Sequence, residues 1–256
     1  MRNPRMNGKH TRYNLLTKLL VILLGVLALK HFYSTASVNQ LRWILAPTTL
    51  LVELVSGRTF NFEMHAGYMS SDRGFLIASS CAGVNFMIAA FLMLSIAKLW
   101  RRKLSWKLIP VALVISYVTT MVANTVRIST ALLLQGSRLD IAGLNGNQLH
   151  RLEGIVIYFG FLLLLFLLSE RTADQTTVAN PNSSTGRVGQ FILPLLVYYA
   201  TALGMPLAHA IYRHDFAAKF LEHSAFVFFA PLLLITPFVI RSKQQTANRR
   251  QQAVSR

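Results

Sequence analysis

The sequence predicts an all-α protein, a polytopic membrane helix bundle with about six transmembrane helices, in a range of six to eight. Hydrophobic residues make up 53% of the 256 positions and charged residues only 14%, whereas a soluble domain carries about 25% charged residues. The apolar residues fall into long runs, and a helix needs roughly 20 of them to cross about 30 Å of hydrocarbon. Lys and Arg cluster in alternate loops, as the positive-inside rule requires.

Six runs meet or nearly meet the length of a span, and the sixth is short and contains two prolines. In chain order they are Leu15–Phe32, Gly74–Leu99, Leu108–Leu134, Leu149–Leu168, Phe191–Ile211 and Ala225–Ile240. A further apolar stretch, Leu41–Val55, is interrupted by Pro47 and by two charged residues. This stretch is predicted to be an interfacial or re-entrant segment.

The net charge of +17 is explained by topology rather than by a nucleic-acid partner. Under the six-span arrangement, the loops and tails on one side are strongly basic and the loops on the other side are nearly neutral. Residues 1–14 are predicted to be a cytoplasmic basic tail, 15–240 a membrane-embedded domain, and 241–256 a second cytoplasmic basic tail that is disordered. Anionic lipid at the inner surface is the expected partner of this charge.

The first apolar run follows a basic segment, so it resembles either a signal-anchor or a signal peptide. Ser34-Thr35-Ala36 loosely resembles a cleavage site. The positions of the later spans fit a retained first span, so an uncleaved signal-anchor is predicted, with cleavage as the alternative.

Cys81 is the one cysteine in the chain, which excludes an internal disulfide and a multi-cysteine metal site. It lies among small residues, including Ser80 and Gly83, that let another helix approach closely. With the second span starting near Gly74 and running inwards, Cys81 is predicted two turns into a helix, in the outer leaflet. The alternative is an ordinary buried cysteine in a packed helix.

Arg127 is predicted at the same depth, because it lies near the outer end of the third span. Thr120, Asn124 and Arg127 are spaced so that they share one helix face. This polar face favours an inward-facing arginine over one that extends to the outer headgroups.

His150 begins the fourth span, with Gly154 one turn further on. Taken alone, it is an ordinary interfacial histidine. A thiol, a guanidinium and an imidazole at one membrane face would together fit a cysteine acyl transferase or protease. In such an enzyme the thiolate attacks a carbonyl, the histidine transfers protons and the arginine stabilises negative charge.

Three pieces of the sequence resemble the exosortase/archaeosortase family of membrane transpeptidases: Ser80-Cys81-Ala82-Gly83, Asn124-Thr125-Val126-Arg127, and His150 with Gly154. The stretch from Leu45 to Tyr68 is similar to the start of the exosortase K subtype. The resemblance covers residues 46–168. Many family members have eight spans, so the count of six or seven found here is a departure.

The resemblance implies a cysteine transpeptidase of the bacterial inner membrane, with its active site facing the periplasm. Cys81 would be the nucleophile, Arg127 the electrostatic stabiliser and His150 the acid–base group, and Asn124 would orient Arg127. The implied partners are exported proteins whose C-terminal signal contains a short motif, a transmembrane helix and a basic cluster. The chemistry requires no cofactor and no metal.

Two other functions compete with this one. A transporter or channel would use Arg127, Asn124 and Lys18 to line a polar path. A metal-dependent membrane enzyme would use one predicted outer loop rich in suitable ligands, namely His209, His214, Asp215, Glu222 and His223.

Overall fold

The computed structural model describes residues 4–100, 105–136, 146–174, 189–204 and 224–237, with positions 240 and 244. Residues 1–129 form one compact unit and residues 130–256 form another. The helices that carry most of the chain are α1 (Pro4–Thr35), α2 (Arg42–Ser56), α3 (Val84–Trp100), α4 (Leu108–Gly136), α5 (Gly146–Asp174), α6 (Gly189–Ala202) and α7 (Ser224–Pro237). The predicted all-α class is therefore confirmed for the architecture.

Four segments, centred on α1, α3, α4 and α5, are long and apolar enough to cross a membrane. They are Tyr13–Thr35, Ser79–Leu99, Leu108–Gln135 and Gln148–Arg171. The protein is thus membrane-embedded, and four of the six predicted spans are confirmed as helices of sufficient length. Helix α1 begins at Pro4, so most of the predicted basic tail, residues 1–14, is helical and continuous with the first span.

The fifth and sixth predicted spans correspond to shorter apolar helices. The described apolar segments are Ile192–Ala202 and Ser224–Pro237, and neither reaches the roughly 20 residues of a span. Tyr199 of α6 donates a hydrogen bond of 2.7 Å to the carbonyl of Phe228 in α7, and the two rings stack. The total of six to eight spans remains a prediction, and most of the C-terminal tail 241–256 lies outside the described residues.

Helix α1 packs against α3 through a narrow stripe. Ile22 and Val26, one turn apart, are buried, while most of the remaining apolar side chains of α1 are exposed. Only 11% of the α1 span is buried inside the protein, against 67% of the α3 segment. The apolar surface that α1 leaves uncovered suits a hydrocarbon environment, and α3 is the central helix of the first unit.

Helix α2 corresponds to the predicted interfacial or re-entrant segment. Its 15 residues extend for about 22 Å, which is too short to cross a bilayer alone. Ile44, Leu45 and Val52 are buried, whereas Leu50 and Leu54 are exposed. The helix therefore presents apolar side chains on both its protein-facing side and its outer side.

Pro47 removes one backbone hydrogen bond from α2, and a side chain of α4 replaces it. Proline has no N–H to give to the carbonyl four residues earlier, which here belongs to Trp43. The hydroxyl of Tyr117 donates to that carbonyl at 2.7 Å, and the Trp43 and Tyr117 rings stack with centroids 5.6 Å apart. This pair fixes α2 against α4.

A small antiparallel sheet, which the sequence had not indicated, joins α2 to the start of α3. Its strands β1 (Phe60–Glu63), β2 (Gly67–Ser70) and β3 (Leu76–Ile77) are arranged in sequence order. Phe60 lies opposite Ser70, and Tyr68 opposite Ile77. The sheet places the chain so that β3 leads directly into the segment containing Cys81.

The β2–β3 turn is held by Asp72, which lies outside the spans. Its carboxylate accepts hydrogen bonds from the Ser70 hydroxyl and from the Gly74 amide, and it forms an ion pair of 3.3 Å with Arg58. These contacts, the Ser70 hydroxyl first, hold the pKa of Asp72 below its ordinary value. The charged form of Asp72 is therefore part of the folded turn.

Candidate functional site

Cys81 lies in a 3₁₀ turn, Ser79–Ala82, between β3 and α3. The prediction that it lies two turns inside a helix starting near Gly74 is wrong. Gly83 adopts a left-handed conformation (φ +68°), which ends the 3₁₀ turn, and α3 begins at the next residue, Val84. Ser80 and Cys81 are thus on a short turn at the N-terminal end of α3, and Ser80 is exposed.

Asn124 of α4 is the residue that fixes this turn. It is fully buried, and its Nδ2 atom donates a 2.7 Å hydrogen bond to the carbonyl oxygen of Cys81, 43 positions earlier. A Cβ atom on Gly83 would lie 2.5 Å from the same Nδ2 atom, so only glycine leaves room for this approach. Gly83 and Asn124, which the sequence singled out separately, form one contact.

Arg127 follows Asn124 by almost one helical turn. Thr120 and Asn124 are both buried, and the Nε atom of Arg127 is also buried. The predicted polar face of α4 therefore points into the protein around Asn124, as expected for an inward-facing arginine. The main chain of the cysteine motif and the Asn124 side chain of the arginine motif meet in the first unit.

Tyr33, from the end of α1, belongs to the same cluster and was missed by the sequence analysis. Its hydroxyl lies 3.5 Å from the Ser79 carbonyl oxygen, to which it donates, and it interacts electrostatically with both Cys81 and Arg127. One hydroxyl thus lies within electrostatic range of two of the three predicted catalytic groups. The signal in the sequence was a polar aromatic residue near the end of an otherwise apolar span.

Lys30 connects α1 to the first turn of α3. Its ammonium donates a 3.0 Å hydrogen bond to Oδ1 of Asn85 and lies 5.6 Å from the centroid of the Tyr33 ring. Lys30 and Tyr33 are one turn apart, so they share a face of α1. That face of α1 therefore contacts both the Ser79–Ala82 turn, which carries Cys81, and the first turn of α3.

His150 lies in the second unit, in the first turn and a half of α5. Its side chain is 48% exposed, and its Nδ1 atom is 3.2 Å from Oε2 of Glu153, whose side chain is only 5% exposed. Gly154 is buried. The sequence analysis identified His150 and Gly154 but overlooked Glu153, although an acidic residue in an apolar span was a sufficient signal.

The residues of the two competing functions have different outcomes. The proposed metal ligands, His209 to His223, lie outside the described residues, and no group of three His, Cys, Asp or Glu side chains occurs within the described ones. The transporter or channel alternative stays a prediction, and its residues have separate contacts: Lys18 lies over the Trp106 ring, 5.7 Å from its centroid. Asn124, in turn, is bonded to the Cys81 carbonyl.

Comparison of the chain with models of known protein families, with curated proteins and with solved structures gives no match.

The geometry around Cys81 suits a nucleophile on a rigid turn. The first N–H groups of an α-helix have no partner within the helix, and the helix dipole favours negative charge at that end. Cys81 precedes Val84, the first residue of α3, by three positions, and the residue is partly exposed. Its main chain is held by the hydrogen bond from Asn124.

Proposed function

We propose that this protein is a membrane cysteine transpeptidase of the exosortase type, which cleaves exported proteins near a C-terminal sorting signal. One observation carries the proposal: Asn124, in the same helix as Arg127, is hydrogen-bonded to the main chain of Cys81, and Tyr33 interacts with both Cys81 and Arg127. A cysteine that only fills space in a packed helix would not require a buried amide, an arginine and a phenol around its turn.

The proposed reaction begins when the Cys81 thiolate attacks the carbonyl carbon of the scissile peptide bond. The tetrahedral intermediate collapses as the C–N bond breaks, leaving a thioester on Cys81, while the amine leaves with a proton from His150. An acceptor nucleophile then attacks the thioester and gives its proton to His150, and the C–S bond breaks to release the Cys81 thiolate, which restores the thiolate and imidazolium from which the reaction began. With water as the acceptor the result is hydrolysis, and with another nucleophile it is transfer.

Arg127 has the electrostatic role in this scheme. A guanidinium is always charged and stabilises negative charge as it develops, first on the thiolate and then on the oxyanion. Asn124, three residues before Arg127, lies on the same helix face and donates a hydrogen bond to the Cys81 main chain. We therefore assign Asn124 to the positioning of the nucleophile in addition to the orientation of Arg127 that the resemblance implies.

The proposed setting is the bacterial inner membrane, with six spans, both chain ends in the cytoplasm and Cys81 at the periplasmic face. The substrate's own transmembrane helix would lie beside the protein in the lipid, with its sorting motif at the surface and its basic cluster inside. Lipids are the remaining partners. The reaction as written requires no cofactor, no metal and no nucleic acid.

The decisive test is replacement of Cys81 by Ala and by Ser in cells that express a candidate substrate with a motif, an apolar helix and a basic end. Both variants should accumulate the uncleaved substrate, detected as slower migration on a gel. Ser95→Ala is the matched control, because Ser95 is a buried polar residue further along α3. Normal processing by Cys81→Ala would end the proposal.

The role of Tyr33 is tested by Tyr33→Phe, which removes only the hydroxyl and keeps the ring beside Lys30. Because Cys81 is the sole thiol, the rate of its alkylation reports on this site alone. The rate should fall severalfold, because the phenol lies within electrostatic range of Cys81 and its hydroxyl donates to the Ser79 carbonyl of the same turn, and a lost interaction of about 1 kcal/mol is expected. Tyr13→Phe, at an exposed position of the same helix, should leave the rate unchanged, and an equal rate in Tyr33→Phe would remove Tyr33 from the site.

The proposal also needs His150 to come within reach of Cys81, which the single native cysteine makes simple to measure. His150→Cys introduces one second thiol, so any intramolecular cross-link formed by a short dithiol-specific reagent identifies this pair. Gln148→Cys, on the same helix, is the control for general reactivity. Cross-linking no faster for position 150 than for position 148 would separate His150 from the thiol chemistry.

A further inference from the structure

Glu153 is a buried carboxylate in an apolar helix, and the reaction proposed above does not yet use it. Its side chain is 5% exposed. Its Oε1 atom is buried and has no hydrogen-bond partner among the residues that the structure describes. Burying a carboxylate is costly unless it is paired, and acidic residues inside membrane spans are usually functional.

Within the part of the chain that the structure describes, the partner of this carboxylate is His150. The Oε2 atom lies 3.2 Å from Nδ1 of the imidazole, three residues earlier on the same helix. An ionised carboxylate can only accept hydrogen bonds. With an ionised Glu153 and a neutral imidazole, this contact puts the ring hydrogen on Nδ1 and leaves a lone pair on Nε2 to take up a proton.

Among the residues that the structure describes, two helices supply the charged and titratable groups to be considered around this pair. On α5 itself, Arg151 is exposed. Helix α6, which packs against α5, has no acidic or basic residue between Gly189 and Ala202, and its titratable side chains are Tyr198 and Tyr199. Glu153 is thus the acidic group placed to act on His150 from its own helix.

We propose that Glu153 is a positioning residue, which orients the His150 ring and holds it in the Nδ1–H tautomer so that Nε2 serves as the acid–base atom. The proposal deepens the function proposed above, and its kinetic part rests on that function. It extends the cysteine and histidine to a Cys–His–Glu arrangement in which the carboxylate touches only the imidazole. When His150 becomes an imidazolium, Glu153 stabilises its charge.

A purely structural role gives a different expectation. An acidic residue in the first turns of a helix is favoured by the helix dipole, and that effect depends on charge but not on the state of an imidazole. A structural Glu153 would affect stability and leave the tautomer and the turnover of the folded protein unchanged. The tests below therefore measure those two properties directly.

The first measurement is the ¹⁵N NMR spectrum of histidine-labelled protein in lipid at a pH where histidine is neutral. The chain has seven histidines, and the His150→Gln variant identifies the signals of His150 by their loss. We expect the Nδ1–H form in the native protein and a mixture containing the Nε2–H form in Glu153→Gln. A native His150 in the Nε2–H form would overturn the proposal, and this result does not depend on any enzymatic activity.

The second measurement is turnover of a sorting-signal substrate. Glu153→Gln should lower kcat by about a hundredfold to about 10⁴-fold, the upper figure being the loss when the Asp that orients the histidine of a Ser–His–Asp triad becomes Asn, with KM changed by less than about twofold. Glu153→Asp, which keeps the charge, should recover part of the loss. Glu170→Gln is the matched control, because it removes an acid about 25 Å further along the same helix.

The outcomes separate this inference from the function on which it rests. Native turnover in Glu153→Gln, with Cys81→Ala inactive, would overturn the role of Glu153 and leave the transpeptidase intact. Native turnover in Cys81→Ala would overturn the transpeptidase, while the tautomer measurement would still decide whether Glu153 controls His150. If Glu153→Gln inserts poorly, Glu153→Asp and the native spectrum carry the test, since neither requires loss of the carboxylate.

Discussion

Substitution of Gly83 by Ala should damage the Cys81 turn through two separate effects. An L-residue in the left-handed conformation costs about 1–2 kcal/mol. In addition, the new Cβ would lie 2.5 Å from Nδ2 and 2.9 Å from Cγ of Asn124, so the amide must move away from the Cys81 carbonyl. Losing that buried hydrogen bond costs about 1–3 kcal/mol. Together the free energy of unfolding should fall by about 2–4 kcal/mol, taking the lower to middle part of each range.

A double-mutant cycle with Asn124→Ala tests whether these effects share the same contact. Asn124→Ala removes both the hydrogen bond and the atoms that the new Cβ would strike. In that background Gly83→Ala should cost only its backbone strain, so the two substitutions should be less than additive by about 1–2 kcal/mol. Unfolding in a titration with sodium dodecyl sulfate, followed by circular dichroism, gives the four free energies. Strictly additive losses would refute the coupling between Gly83 and Asn124.

Two further predictions concern the elements that frame the site. Tyr117→Phe removes the donor to the Trp43 carbonyl and should lower the free energy of unfolding by about 1 kcal/mol in the same titration. Adding Pro47→Ala, whose N–H can reach that carbonyl, should restore most of the loss. If it restores nothing, the explanation given for the Pro47 gap in α2 is wrong. Because the pKa of Asp72 is lowered in the folded state, its contribution is present above its ordinary value of 3.8 and is lost as pH falls through the lower folded value. At pH values above 3.8 the Gly74 amide should therefore exchange more slowly in the native protein than in Asp72→Asn, and the two exchange rates should converge as the pH falls through the lowered pKa of Asp72.

The long apolar helices could be predicted closely, because hydrocarbon thickness sets a length that the sequence displays directly. The run Leu108–Leu134 corresponds to helix Leu108–Gly136, and the run Leu149–Leu168 lies within helix Gly146–Asp174. The same criterion failed at Gly74–Leu99. Hydropathy does not change where β3 gives way to the 3₁₀ turn and then to α3, so one apolar run covers three kinds of backbone.

The small sheet was missed for a different reason. The alternation of Phe60 and Phe62 with polar residues is typical of a half-buried strand, but the segment is only four residues long. Short strands gain their stability from their neighbours, and pairing with Gly67–Ser70 cannot be read from either strand alone. For the start of α3, Gly83 was the more useful signal, because glycine readily adopts the left-handed conformation that ends a helical turn.

The candidate site could be predicted only where a motif lies close together in the chain. Cys81, Asn124 and Arg127 were found through their local sequence, and the hydrogen bond from Asn124 to Cys81 supports placing them together. Tyr33 and Glu153 belong to no motif that the resemblance supplies. Glu153 could have been noticed as an acidic residue in an apolar run, but its contact with His150, like the packing of Tyr33 against the Cys81 turn, depends on the folded structure.

The hydrogen bonds that hold the Cys81 turn join parts of the chain that are synthesised at different times. Ser79 is bonded to a residue 46 positions earlier and Cys81 to one 43 positions later. During insertion, the thiol therefore emerges before the amide that fixes its main chain has been made. A chain cut after α3 would display this cysteine on an unsupported turn, and a chain deprived of its first helix, by a signal peptidase for example, would lose Lys30 and Tyr33. Formation of the Cys81 turn thus depends on the nascent chain being retained whole through at least its third long helix, α4.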